Sequence, residues 1–275
     1  MGVIGTISTV NAQESILKVV KDEGYEIGSS DTPKASLVVS IANGEILWQE
    51  NPDRAVDPAS LSKLMTIFIV YDAIKEGKIN LSDKVVPTAT DEAISKITAL
   101  SNVPLTAGVE YPVEELVKMA LLPSSNAATI LLSHLVNDNS DEFVDLMNQK
   151  AKELGMTNSK FYNPSGAVVS AFRGLYVVEG VPDEYNQTTA RDLATLAYYF
   201  LKNYPEFLEI TREPAVTTME GTPVEETFYT LNQLASGMPQ GYFDVDGFKT
   251  GSSPNAALNH VITAKGKGRL WGNEV

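Results

Sequence analysis

The 275-residue sequence predicts an α+β fold: an antiparallel sheet formed from both chain ends and flanked by helices, with an inserted all-helical subdomain at about residues 80–210. Three observations predict it. Segments rich in alternating and β-branched residues stand near the start, Ser36 to Glu50, and near the end, Asp246 to Ala264. Between them apolar residues recur at helical spacing, punctuated by Pro and Gly. A composition that is 43% hydrophobic and 20% charged suffices for a sizeable core.

Residues 1–12 are uncharged and mildly apolar, and Val10-Asn11-Ala12 before Gln13 has the small-x-small form of a cleavage site, so the stretch reads as the tail of a secretory signal. Gln13 to Glu23 is a short helix with Ile16, Val19 and Val20 on one side, closed by Gly24. Ser36 to Ala42 and Glu45 to Glu50 flank Asn43-Gly44, the sequence of a two-residue type I′ hairpin. Pro52 and Pro58 limit the next loop. A helix then runs from Ser60 to Gly77, apolar on nearly every face and so expected to be buried.

Ser82-Asp83 is a turn, Asp91 to Leu100 a helix, and Leu105 to Tyr111 a loop or short strand. Pro112 opens a helix that carries Glu114 and Glu115 in its first turn and ends at Leu122. Pro123-Ser124-Ser125-Asn126 breaks the pattern before a helix from Ala127 to about Val136. Asp141 to Leu154 is amphipathic, with Phe143, Leu146, Met147, Ala151 and Leu154 inward and Gly155 as the stop. Phe161 to Gly166 is turn chemistry, and residues 167–187 are irregular. Thr188 or Thr189 caps a helix that ends before Pro205. Strands are expected at Thr227 to Leu231, Asp246 to Ser253 and Leu258 to Ala264, then a turn at Lys265 to Gly268 and one more strand from Arg269.

The formal charge of −14 and the lack of any basic run argue against nucleic acid and against a polybasic membrane patch. Zero cysteines remove disulfides, thiolate metal sites and cysteine nucleophiles together. His134 and His260 have no metal-ligand spacing and read as structural or solvent-facing, so no metal site is expected. No G-x-S-x-G elbow is present, which disfavours a histidine-based hydrolase. No stretch reaches the roughly 18 apolar residues of a membrane-spanning helix.

Chemistry concentrates at Pro58-Ala59-Ser60-Leu61-Ser62-Lys63-Leu64-Met65-Thr66. Ser60 and Lys63 are three residues apart at a helix start and share one face. Serine needs a neighbour to take its proton, and lysine serves only where its surroundings hold a neutral fraction. Spacing alone decides little, because Ser15 and Lys18 repeat it on what reads as an exposed helix. Ser124-x-Asn126 on a break between helices and Lys249-Thr250-Gly251 on a strand complete an ordered set.

S-x-x-K, S-x-N and K-T-G in this order are the signature of the penicillin-binding protein and serine β-lactamase superfamily. With Ser124-Ser125-Asn126-Ala127-Ala128, Asn163-Pro164-Ser165-Gly166 and Asp246 to Ser253, the chain resembles the low-molecular-mass penicillin-binding proteins of the D-alanyl-D-alanine carboxypeptidase type over roughly residues 30–270. Its Ser-Ser-Asn-Ala-Ala variant is most similar to the penicillin-binding protein 4 group of Gram-positive cocci. The resemblance implies a β-lactamase/D,D-peptidase-like fold over residues 13–275. Family members usually continue into a closing helix, a β-rich domain and a membrane-anchoring tail. This chain stops at Val275, which reads as a truncation, with any membrane association left to segments outside it.

The resemblance also implies the roles. Ser60 attacks the carbonyl between the terminal D-alanines of a peptidoglycan stem peptide, and Lys63 is its base, with its pKa lowered by burial and by Lys249. Ser124 relays a proton to the leaving amine. Asn126 holds Lys63 and the substrate amide. Lys249 and Thr250 bind the terminal carboxylate, Gly251 lets the substrate lie along the strand edge, and Ser252 offers a backbone N–H that joins that of Ser60 in an oxyanion hole. β-Lactams, which mimic the D-Ala-D-Ala end, are implied as acylating inhibitors. No cofactor is implied, and the place of action is the bacterial cell surface. The neighbouring reading is a β-lactamase, but position 125 is Ser where class A enzymes usually carry Asp, and no Glu-x-x-x-Asn follows in register. The three motifs also allow a non-hydrolytic sensor of β-lactam or peptidoglycan, and an S-x-x-K amidase or esterase acting on different substrates.

Overall fold

The computed structural model describes residues 15–26, 28, 32–180, 183–242 and 244–265. The signal-like residues 1–12, most of the turn at 265–268 and the strand expected from Arg269 lie outside them. Ser15 precedes helix α1 (Ile16–Asp22) and Lys18 lies within it; both are exposed, and Lys18 Nζ pairs with Asp22 at 2.8 Å.

Strands β1 (Ser36–Val39) and β2 (Ile46–Glu50) form the expected hairpin, with Val38 opposite Trp48. The turn is not type I′. That turn needs positive φ at both central residues, and here Gly44 alone has it, at 73°. Gly44 N–H reaches back to Ser40 O and Ser40 N–H to Glu45 O, both at 2.8 Å, which widens the loop to residues 40–45.

The helix expected from Ser60 opens as a tighter turn, and its α-helical part starts three residues later. Ala59–Ser62 is a 3₁₀ turn, and helix α2 (Lys63–Lys75) follows directly. Ten of its residues, Lys63 to Tyr71 and Ala73, are buried, as an all-round apolar pattern requires. It packs against α4 (Val113–Leu121), α5 (Asn126–Val136), α6 (Ser140–Leu154) and α7 (Ala190–Asn203).

The short α3 (Ala89–Ser95) starts early because Thr88 and Asp91 form a capping box, and it ends early because Asn102 Nδ2 donates to the Ile94 carbonyl at 2.9 Å. Two-residue strands β3 (Lys84–Val85) and β4 (Tyr111–Pro112) pair ahead of α4. The irregular stretch after Gly166 holds one 3₁₀ turn, Val169–Phe172. Thr189 caps α7, and its Oγ1 accepts from Asp192 N–H at 3.1 Å.

Three elements have no counterpart among the sequence-based expectations, the two-residue β3, α8 (Phe207–Thr211) and β5 (Ala215–Thr218), and β6 (Glu226–Tyr229) lies one to two residues before its expected place. Strands β7 (Val245–Ser253) and β8 (Ala257–Ala264) pair antiparallel. Among the described residues the two terminal hairpins are separate two-stranded sheets, and β1 and β8 both lie against α7.

One core unites these parts. Within it Phe200 of α7 meets Phe68 of α2 at 5.1 Å and Phe207 of α8 at 4.4 Å between ring centroids. Phe207 meets Phe248 of β7 at 4.7 Å. Edge-on and tilted contacts of this kind favour one mutual placement. They set the residue before Lys249 against the helix that begins at Lys63.

Candidate active site

Lys63 is fully buried, with 0% exposure, and has three partners. Its Nζ lies 2.9 Å from Ser60 Oγ, 2.9 Å from Asn126 Oδ1 and 2.8 Å from the Ser165 carbonyl. Asn126 is held in that orientation because its Nδ2 donates to the Ser101 carbonyl at 2.8 Å. The amide and carbonyl oxygens only accept. A neutral amine has two N–H bonds for them and one lone pair, which is left for the Ser60 hydroxyl. Burial is the larger reason, and the Lys249 charge the smaller, why the Lys63 pKa lies well below the usual lysine range.

Turn residues hold this arrangement from below. Asn163 Oδ1 accepts from the N–H groups of Ser165 and Gly166 at 3.0 and 2.7 Å, which turns the Ser165 carbonyl toward Lys63. Thr66 Oγ1 donates to the Pro164 carbonyl at 2.7 Å. Gly166 has φ of 89°, and a Cβ there would sit 1.9 Å from the Ala59 carbonyl oxygen. Only glycine allows the turn to pass under the nucleophile segment.

Ser124 and Asn126 face the site because the residue between them does the capping. Ser125 Oγ accepts from Ala128 N–H at 3.2 Å and from Val103 N–H at 3.3 Å. Ser124, held at φ 63°, presents its Oγ to Lys249 Nζ at 2.9 Å. Lys249 is 2% exposed, and its other acceptor is the Thr250 carbonyl at 2.9 Å. Burial brings its pKa down to about 7.

The last motif runs along β7 beside the 3₁₀ turn. Lys249 and Gly251 are buried, Thr250 is half-buried, and Ser252 is exposed. Gly251 is expected to let the substrate lie along the strand edge, but the room that it leaves faces the segment before Ser60. A Cβ there would lie 2.6 Å from the Pro58 carbonyl oxygen and 3.0 Å from Leu61 N, so this glycine lets β7 approach the nucleophile segment. Ser60, Asn126 and Ser252 open onto one cleft of about 660 Å³, whose walls include Leu100, Val168 and Leu258.

Of the eight residues singled out in the sequence, Ser60, Asn126 and Ser252 line the cleft. Lys63, Ser124 and Lys249 lie buried behind it, with Lys63 bonded to Ser60 and Asn126 and Lys249 to Ser124, and Thr250 and Gly251 continue β7 between Lys249 and Ser252. Sequence reasoning did not find the Ser165 and Ser101 carbonyls, which carry no side-chain signal, or Asp57, whose carboxylate lies between the 3₁₀ turn and the end of β7. His134 lies 3.2 Å from Ser140 Oγ, and His260 is exposed on β8 opposite Thr250. Neither bonds to Ser60 or Lys63. Among the described residues no acidic or histidine cluster suits a metal ion, and no helix is long and apolar enough to cross a membrane.

Comparison with known proteins gives the same picture. The family model described as D-alanyl-D-alanine carboxypeptidase matches residues 27–270. D-alanyl-D-alanine carboxypeptidase DacF of Bacillus subtilis is 30% identical over 234 residues, which are 85% of this chain and 54% of DacF. The chain spans about half the length of the curated relatives it matches. Among solved structures, a peptidoglycan synthesis regulatory factor (PBP3) from Streptococcus pneumoniae superposes with TM-score 0.79 at 31% identity, covering 86% of this chain and 64% of that one. Penicillin-binding protein D2 from Listeria monocytogenes, in its ampicillin-bound form, gives 0.67 at 29%, covering 85% and 84%.

Proposed function

Because the chain belongs to the D-alanyl-D-alanine carboxypeptidase family, we propose that it is a serine D,D-peptidase that removes the terminal D-alanine from peptidoglycan stem peptides. The observation that carries this reading is the Lys63 amine, buried and held by two fixed acceptors with its third direction on Ser60 Oγ. Lys63 takes the Ser60 proton as Oγ bonds to the carbonyl carbon of the penultimate D-alanine. The oxyanion that forms is met by the backbone N–H groups of Ser60 and Ser252. As the C–N bond breaks, Ser124 relays to the departing amine the proton that Lys63 took, so D-alanine leaves and Lys63 and Ser124 return to their starting protonation states. Asn126 orients both Lys63 and the substrate amide.

Lys249 and Thr250 receive the terminal carboxylate, which supplies the counter-charge that the Lys249 ammonium has from no described side chain. Water, activated at the same lysine that served as base, Lys63, adds to the acyl-enzyme and regenerates Ser60. An acceptor amine in its place makes the reaction a transpeptidation. A β-lactam meets the same groups and leaves Ser60 acylated, in keeping with the ampicillin-bound relative. This substrate places the protein outside the bacterial membrane, at the cell surface.

The test is intact-mass measurement after penicillin treatment, paired with assay of D-alanine released from a model pentapeptide. A single adduct on Ser60 and D-alanine release are expected. Labelling that survives Ser60→Ala would sink the proposal, and labelling without release would indicate a sensor.

A further inference from the structure

Asp57 is 7% exposed and stands three residues before Ser60. Its Oδ1 accepts from Ala59 N–H at 2.7 Å. Its Oδ2 accepts from the Ser253 hydroxyl at 2.7 Å and from Asn255 Nδ2 at 3.4 Å, and its backbone carbonyl accepts from Asn259 Nδ2 at 2.9 Å. Ser253 Oγ itself accepts from Ala256 N–H at 2.8 Å, so its one proton goes to Asp57. One carboxylate therefore ties the residue before Ser60 to the residue after Ser252.

The tie has something to hold. Ala59 has φ of 47°, a left-handed conformation that is strained for a non-glycine residue. That conformation sets the direction of the next peptide N–H, which belongs to Ser60. The partner end is a short turn: residues 254–256 join β7 to β8, and Ala257 is left-handed too, at φ 60°. Ser253 and Asn255 bring the hairpin to Asp57, and the absent Cβ of Gly251 lets it approach.

We propose that Asp57 is a positioning residue for acylation, which holds the backbone N–H groups of Ser60 and Ser252 at the separation that one developing oxyanion requires. The inference rests on the D,D-peptidase reading and goes beyond it by assigning the geometry of the oxyanion hole to a side chain outside the three motifs. Asp57 touches neither substrate nor the reacting atoms. Its segment is anchored independently by the Val56–Thr188 backbone pair, so a substitution of similar size is compatible with folding.

The experiment compares the parent with Asp57→Asn, Ser253→Ala, the double variant and Ser253→Thr. Asp57→Asn keeps an acceptor for Ala59 but places an NH₂ group where the Ser253 hydroxyl needs an oxygen. Acylation rate at saturating fluorescent penicillin, and kcat and KM for D-alanine release, are normalised to titrated sites, which removes any unfolded fraction. Acylation and kcat are expected to fall about 10–100-fold in Asp57→Asn and Ser253→Ala, with KM changed by less than about threefold. The double variant should be no worse than the poorer single one, and Ser253→Thr, which keeps the hydroxyl, should stay near the parent. Parent-like rates per titrated site, or a double variant that multiplies the two losses, overturn the inference alone. A parent that is not acylated, or a Ser60→Ala variant that still is, overturns the D,D-peptidase reading and the inference with it.

Discussion

Lys249 Nζ donates to Ser124 Oγ at 2.9 Å, which joins β7 to the turn ahead of α5 across 125 residues of sequence. On the other side of that turn Asn126 holds Lys63. Two buried lysines therefore flank one serine-and-asparagine turn, and among the described residues neither is in an ion pair. Such a site is ready for an anion, and its charge state is set by burial.

The pH profile follows. Lys249 loses its proton through about pH 7 in the free protein, and a bound carboxylate holds that proton to higher pH. kcat/KM for a carboxylate-terminated peptide is expected to decline above about pH 7 while kcat persists to higher pH. A C-terminally amidated peptide should be a poor substrate without this limb. Steady-state kinetics from about pH 5 to about pH 10 check it, and an identical alkaline limb for both peptides refutes it.

Stability carries the opposite signature. The folded pKa of Lys249, about 7, lies below its ordinary value of 10.5, so between them the unfolded chain binds the extra proton and stability rises with pH. Lys249→Met removes the burial cost of the ammonium. It should stabilise the fold by about 2–4 kcal/mol below pH 7, with the gain fading toward pH 10.5. Denaturant unfolding at several pH values across this range measures it, and a pH-independent difference would count against it.

Lys63→Arg tests the base directly. Arginine stays protonated and cannot take the Ser60 proton. Acylation is expected to fall more than about 10³-fold with the fold retained. Near-normal penicillin labelling, read by intact mass, would falsify the assignment.

The two adjacent serines should separate cleanly. Ser125→Ala removes an N-cap and is expected to lower stability by about 1–2 kcal/mol while sparing acylation per folded molecule. Ser124→Ala should do the reverse, with little change in melting temperature and a fall in D-alanine release of about 10²-fold or more. Equal effects of both on either readout would remove the distinction between cap and relay.

Gly251→Ala pushes a Cβ to 2.6 Å from the Pro58 carbonyl oxygen. The strand must shift, and a displacement of an ångström near the reacting atoms costs about 10²-fold in rate. A fall of that size in acylation, with KM rising less than about threefold, is the expected result. A rise in KM alone would instead favour a glycine that makes room for substrate.

Much of this site was legible because chemistry and burial wrote the same residues. Helix α2 could be read as buried from Leu64, Met65, Ile67, Phe68, Ile69 and Val70, which leave no polar face. Order then separated Ser60 and Lys63 from Ser15 and Lys18. The parts that escaped are backbone or short-range effects. The carbonyls of Ser101 and Ser165 have no residue-type signal, and five-residue α8 and four-residue β5 are too short to show a period. Asn43-Gly44 favoured a tight turn, yet Gly44 bonds back to Ser40. A strand edge is where peptides pair, so the sequence points Gly251 toward substrate, whereas its neighbour at close range is Pro58.

The all-round burial of α2 also bears on how the protein comes into being. Ser60 and Lys63 emerge early in synthesis, on a helix with no face suited to water. The surfaces that cover it belong chiefly to residues 113–207, and the charge that helps hold the Lys63 amine neutral arrives only with Lys249. A growing chain therefore carries Ser60 for nearly two hundred residues as an ordinary serine beside an ordinary ammonium. On the D,D-peptidase reading, reactivity appears together with the completed core, and a partly made or partly unfolded molecule exposes a sticky helix but no activated serine.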